Sequence, residues 1–322
     1  MPFRTRLTER LGIEHPVLLG PMVWVSGGAL AAAVSQAGGL GLIGCGYGEA
    51  DWLDREFAAA GSARVGCGFI TWSVARRPEL LDRALAHRPA AVMLSFGDPA
   101  PFADTIRNAG AALICQVQTV RQAIEALAAG ADVIVAQGTE AGGHGSTRAT
   151  FPLVPSVVDA VRERGSDIPV LAAGGIADGR GMAAALVLGA DGVLVGTRFL
   201  AAEESLAAPA IKARVVAADG DRTVRTRVYD IVRGLDWPPV YTGRALANGF
   251  AEQWHGREEE LRESRAAEYP RYADAAARQD FDTAAIFAGE VVDLIHDIRP
   301  AAEIVTDLVA EAERAIARPV VV

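Results

Sequence analysis

The stretch AQGTEAGGHGS, Ala136 to Ser146, sets one histidine among four glycines directly after the apolar run ADVIV. Glycine lets a backbone adopt left-handed angles and approach a ligand with no Cβ in the way. Imidazole ordinarily titrates near neutrality, so His144 is suited to taking and releasing a proton. Two later loops carry a related signature: Gly174 and Gly175 in AAGGIADG, and Gly196 with Thr197 in VGTRF. Their unhindered N–H groups and one hydroxyl suit a phosphate dianion. Neither loop has GxGxxG spacing or a Walker lysine, which favours a phosphate on a larger cofactor over a nucleoside triphosphate.

The rest of the chain narrows the chemistry. It contains no HxH or HExxH motif and no paired Cys/His cluster, so no metal site is expected. Its formal net charge of −9 argues against nucleic acid or an anionic membrane as partner. Cys45, Cys67 and Cys115 form no CxxC pair and lie in or beside apolar runs, as expected of reduced core thiols. The opening MPFRTRLTERLGIEHP has no apolar h-region, and the apolar windows are too short and glycine-broken to cross a bilayer. The expectation is a soluble cytoplasmic protein; the sequence leaves a homo-oligomer open.

The elements that must position these loops follow from periodicity. Short β-branched runs alternate with longer Ala/Leu-rich amphipathic ones, the pattern of βα units around a parallel sheet. Eight strands are expected: PVLLG, LGLIG, ARVGCGFI, AAVMLSF, ALICQV, ADVIVAQ, PVLAAGG and DGVLVGT, with seven helical segments between them. Gly38, Gly61, Gly110 and Gly130 read as helix-ending glycines, Ser26 and Asp178 as helix N-caps. This fits an α/β fold, a (β/α)8 TIM barrel, with an open doubly wound sheet as the alternative. Three regions are expected: a barrel over 1–207, a smaller, mostly helical C-terminal cap over 208–290, and a helix over 291–322 packing back on the barrel as its eighth.

Barrel chemistry lies at the C-terminal ends of strands, which adds GPM after strand one and Gln116 and Gln137 on strands five and six to the candidates. Trp24, Trp72 and Phe69 fall at strand ends and fit either packing or an apolar wall. Glu140 fits a loop-orienting acid or a solvated one, and Ser146 is weighed for substrate binding.

Together, GPMVWVSGGALAAAVSQAGGLGLIG, AQGTEAGGHGS, PVLAAGGIADGRGMAAALVLGADGVLVGTRFL and RALAN resemble the nitronate monooxygenases, formerly 2-nitropropane dioxygenases. The resemblance spans the barrel and implies FMN as cofactor, without a nicotinamide-binding Rossmann domain. It implies a nitroalkane or nitronate substrate oxidised with O2 to a carbonyl compound and nitrite. Carried over residue by residue, Met22 lies against the isoalloxazine through its backbone, and Gln137, Gly142 and Gly143 line the flavin. Gly174, Gly175, Gly196 and Thr197 hold the phosphate, and His144 is the base that deprotonates a nitroalkane.

Two departures bear on the cofactor. Relatives often carry an amide after strand three, where this chain reads GCGFITW, and many carry a lysine where it has Gln116. An amide can bond a flavin carbonyl or phosphate but cannot neutralise charge. An FMN-dependent NAD(P)H reductase of enoyl-acyl-carrier or quinone type stays open as an alternative. A flavin-free phosphate-sugar isomerase or lyase is a second; the only lysine, Lys212, lies beyond strand eight, where Schiff-base chemistry is not expected. A non-catalytic flavin-binding protein would leave His144 without a role.

Overall fold

The computed structural model describes residues 3–318, so residues 1–2 and 319–322, the outer ends of the first and third expected regions, lie outside it. The strands in chain order are β1 (Val17–Leu19), β2 (Leu42–Gly46), β3 (Gly66–Ile70), β4 (Ala91–Ser95), β5 (Ala112–Val117), β6 (Val133–Gln137), β7 (Gly143–Gly145), β8 (Val170–Ala173), β9 (Gly192–Val195), β10 (Thr223–Thr226) and β11 (Thr242–Leu246). Eight of them, all but β7, β10 and β11, form one parallel sheet in the order β1-β9-β8-β6-β5-β4-β3-β2. A single bridge, Leu18 to Leu40, joins the two ends, with Leu19 N donating to Leu40 O at 3.0 Å. The sheet is a nearly closed TIM barrel.

Alternation along the strands sorts side chains into two apolar layers. Leu18, Met93, Ile114, Val135, Leu171 and Leu194 point into the barrel. Leu7 and Leu11, from the helix Arg6–Leu11, join that cluster. Leu19, Leu94, Leu113, Ile134, Ala172 and Val193 point outward into the layer shared with the helices. Burying one Leu-sized side chain contributes about 1.5–3 kcal/mol, so the tightly patterned strands fix the barrel. Gly38, Gly61, Gly110 and Gly130 all have left-handed φ, between 60° and 93°, as helix-ending glycines do. Cys45, Cys67 and Cys115 are buried free thiols.

The helix Ala301–Ala317 packs against the helices Gly179–Val187 and Gly28–Gln36, the place an eighth barrel helix takes. Asp178 caps the first of these two, accepting from Gly181 N at 3.0 Å. Ser26 does not cap the second. Gly27 occupies that position, and the Ser26 hydroxyl turns back to the turn before it, where Met22 N donates to it at 2.7 Å. The region expected to be mostly helical also supplies β10 and β11. They pair antiparallel with each other, and β11 pairs with β7, the short strand made by the glycine-histidine loop itself. A five-residue apolar alternation did not mark TVRT or TGRAL, because both strands are polar and only partly buried. Among the described residues no helix is long and apolar enough to cross a membrane.

Candidate active site

A cavity of about 590 Å³ opens at the C-terminal ends of the barrel strands, in the size range of small-molecule sites. Met22, Gln116, Gln137, Gly142, Gly143, His144, Gly174, Gly175, Gly196 and Thr197 all line it. The chain thus brings these ten residues, drawn from separate loops and strands, to one space. Met93, Ala173 and Leu194 form part of its wall from inside the barrel, while Phe281, Ile286 and Phe287 contribute from the C-terminal part.

Gly174 and Gly175 follow β8 with φ of 97° and 73°, angles a side chain strongly disfavours. Among the described residues the N–H groups of Gly174, Gly175, Gly196 and Thr197 donate to no protein acceptor. Thr197 is buried, Gly174 and Gly196 half-buried and Gly175 exposed, and the four face one cavity with their N–H groups free to meet an acceptor-rich group. The Thr197 hydroxyl accepts from Gly289 N at 3.0 Å, which ties this loop to the C-terminal segment.

The amides divide by role. The Gln116 backbone is paired within the sheet, but its side chain makes no hydrogen bond to another described residue and lines the cavity. Gln137 is engaged on both sides: its Oε1 accepts from Gln118 Nε2 at 2.9 Å, and its Nε2 donates to His144 O at 3.1 Å. It anchors the His144 backbone. Met22 likewise has its N–H and C=O taken by Ser26, so it reaches the cavity through its side chain rather than through a free backbone group. Its sulfur lies 3.6 Å from where a Cβ on Gly196 would stand.

The His144 loop is held from the C-terminal region. Arg225 Nη2 donates to Thr139 O at 2.8 Å and to Ala141 O at 3.1 Å, and Arg244 Nε donates to Thr139 O at 3.0 Å. Glu140 anchors the loop from the other side, accepting from Thr150 N and from the Thr150 hydroxyl at 2.7 Å. Gly142 is needed for a close approach: a Cβ there would stand 2.6 Å from the backbone of Ala288 and Gly289.

His144 itself is nearly buried, with its side chain 9% exposed. Its ring stacks on Trp237, centroids 3.4 Å apart and planes within 4° of parallel. Phe96 meets it edge-on at 6.4 Å and Phe287 lies at 5.9 Å. Phe96 holds a left-handed φ of 67° after β4, a conformation that costs a bulky residue energy and is found where surroundings enforce it. His144 Nε2 lies 2.9 Å from Asp230 Oδ2, on the helix Val228–Arg233. Burial pushes the imidazole below its ordinary pKa; the Asp230 contact opposes this, and the charges of Arg233 and Arg225 assist it. The net direction keeps His144 neutral near pH 7, the form a proton acceptor needs.

Some expected wall residues sit elsewhere. Trp24 lines the cavity, but Phe69 points outward into the barrel–helix layer. Trp72 packs behind Trp237 at 5.3 Å instead of facing the cavity, and Ser146 is not among the lining residues. The aromatic wall is built mainly from Tyr47, Phe96, Trp237 and Phe287. Sequence reasoning missed Asp230, Trp237, Arg225 and Arg244. The first lies 86 residues from His144, and no local spacing connects them.

The family model for nitronate monooxygenase matches residues 4–64 and 70–311. A nitronate monooxygenase of Neurospora crassa is 33% identical, over 94% of this chain and 90% of its own length. The structure of FabK from Thermotoga maritima superposes with a TM-score of 0.83 at 33% identity, covering 98% of this chain and 97% of that one. The nitroalkane oxidase structure from Streptomyces ansochromogenes gives 0.80 at 29% identity, covering 97% and 99%. With a match that runs through barrel, histidine loop and C-terminal segment alike, the chain belongs to the nitronate monooxygenase family of flavin-dependent oxidoreductases.

Proposed function

We propose that the protein binds FMN and oxidises alkyl nitronates and nitroalkanes with O2 to a carbonyl compound and nitrite. The observation that carries this reading is the pairing of one neutral, nearly buried histidine with four unpartnered backbone N–H groups in a single cavity. The N–H groups of Gly174, Gly175, Gly196 and Thr197 fit a phosphate, and the open amide of Gln116 fits a polar edge of the ring system. Bound there, FMN would supply the electron acceptor that amino-acid side chains lack. Gly143 has open space where a Cβ would stand, and Gly142 lets the loop pack against Ala288 and Gly289.

The residues of the chain then handle the proton and the substrate. A nitroalkane is a carbon acid, and a neutral imidazole is matched to taking its α-proton. Tyr47, Phe96, Trp237 and Phe287 supply apolar surface around His144, which excludes water from the proton transfer. Nitronate offered as such needs no base. His144→Ala is therefore expected to lower kcat/KM for a neutral nitroalkane by about 10²–10⁴-fold while sparing its nitronate. Equal losses on both substrates would rule out the base role.

The likeness to FabK supports a second reading, reduction of the flavin by NAD(P)H. The cavity lining does not favour it: Arg233 is the only Arg or Lys among the lining residues, which is sparse for a dinucleotide diphosphate. Membership of an oxidoreductase family leaves a flavin-free isomerase without support.

A further inference from the structure

The two ring nitrogens of His144 meet different surroundings. Nε2 faces Asp230 Oδ2 at 2.9 Å, while Nδ1 has no partner among the described residues and is not enclosed by protein. Asp230 is itself buried, 4% exposed, and its other oxygen accepts from Arg233 Nη2 at 3.1 Å. Arg233 is in turn fixed by its Nε, which donates to Tyr229 O at 2.9 Å. The carboxylate is thus held between two donors and cannot turn away from the imidazole.

Three charged groups face His144: Asp230 and Arg233 from the helix Val228–Arg233, and Arg225 from β10. The ring's remaining neighbours, Trp237, Phe96 and Phe287, are uncharged. A carboxylate can only accept, so its partner nitrogen must carry hydrogen. Trp237 fixes the plane of the ring from one face, and its own Nε1 donates to the Tyr47 hydroxyl at 2.9 Å, which holds it in turn.

We infer that Asp230 is a positioning residue that sets the tautomer of His144, placing hydrogen on Nε2 and leaving the Nδ1 lone pair as the base toward the cavity. This rests on the reading of His144 as the base. In the step it serves, the substrate's α-C–H bond breaks and its proton forms a bond with Nδ1. The bonding pair stays with the substrate and moves onto the nitro oxygens, giving the nitronate. The imidazolium so formed keeps its Nε2–H on Asp230, where the opposite charge stabilises it.

The test is Asp230→Asn in the flavin-loaded protein, assayed in parallel on a nitroalkane and its preformed nitronate. Arg233 still requires an acceptor, so it holds the introduced amide oxygen and turns the NH2 group toward Nε2. Nε2 must then accept, and hydrogen moves to Nδ1, where it blocks the base. The expected result is a loss of about 10²–10⁴-fold in kcat/KM for the nitroalkane with nitronate turnover retained. Removal of the carboxylate also moves the acidic limb of the remaining nitroalkane profile to lower pH. Unchanged nitroalkane turnover, or equal loss on both substrates, would overturn the inference. Wild-type protein that turns over neither substrate would instead sink the functional reading beneath it. Should the variant fail to fold, two-bond ¹H–¹⁵N correlation spectra of the wild-type protein read the tautomer directly. Hydrogen on Nε2 supports the assignment, and hydrogen on Nδ1 refutes it.

Discussion

The imidazole of His144 and the indole of Trp237 lie face to face at 3.4 Å, one from the loop after β6 and the other from 93 residues later in the chain. Trp237 is 3% exposed, so it covers one face of the imidazole within the cavity wall. Trp237→Phe keeps an aromatic face but loses the bond to Tyr47; Trp237→Leu loses both. Nitroalkane turnover is expected to fall in the order wild type, Phe, Leu, while nitronate turnover changes less. Steady-state kinetics on the two substrates checks this, and a reversed order would show that the stack does not orient the base.

The pH dependence has a definite sign. His144 is pushed below its ordinary value of about 6.5, chiefly by burial, so the neutral form persists into mild acid. Nitroalkane kcat/KM is expected to be flat near neutrality and to fall only as pH drops below 6.5. Stability follows the same direction. The unfolded chain protonates this histidine first, so the contribution is present in full above 6.5 and is lost as pH falls through that value toward the folded one. Arg225→Met removes one charge that lowers the pKa, so the acidic limb should move to higher pH in that variant. Rate profiles of both proteins test it.

Flavin retention should depend on the glycines after β8. At Gly174, a Cβ would stand 3.0 Å from Gly138 O on a backbone with φ of 97°. Gly174→Ala is expected to raise the flavin dissociation constant about 5- to 150-fold, through strain on the order of 1–3 kcal/mol displacing the donors. The ratio of visible to ultraviolet absorbance after gel filtration measures the loss.

Gly142 tests the join between the histidine loop and the C-terminal segment. Gly142→Ala puts a methyl 2.6 Å from the backbone of Ala288 and Gly289, where no flexible side chain can give way. A destabilisation of about 1–3 kcal/mol is expected, read as a lower thermal midpoint. A midpoint equal to wild type would mean that the two segments separate readily.

The barrel was legible because its signals are local. Apolar runs such as ADVIV and DGVLV end in glycines that stop helices or open loops, and strand ends in this architecture converge on one face. That is why Gln116, Gly174, Thr197 and His144, far apart in sequence, could be assigned to one site. The partners of His144 were not legible. Asp230, Trp237, Arg225 and Arg244 come from the region 208–290, and they act through long-range contacts that leave no periodicity behind. Ser26 shows the opposite error: its spacing suits an N-cap, but the Met22 turn competes for the hydroxyl and wins.

The most direct measurement is the visible spectrum of the purified protein under anaerobic conditions, before and after adding an alkyl nitronate. The account predicts a bound flavin whose absorbance is lost on nitronate addition and returns with air, with nitrite released. A protein that takes up no flavin would contradict it, as would a bound flavin untouched by nitronate but bleached by NAD(P)H.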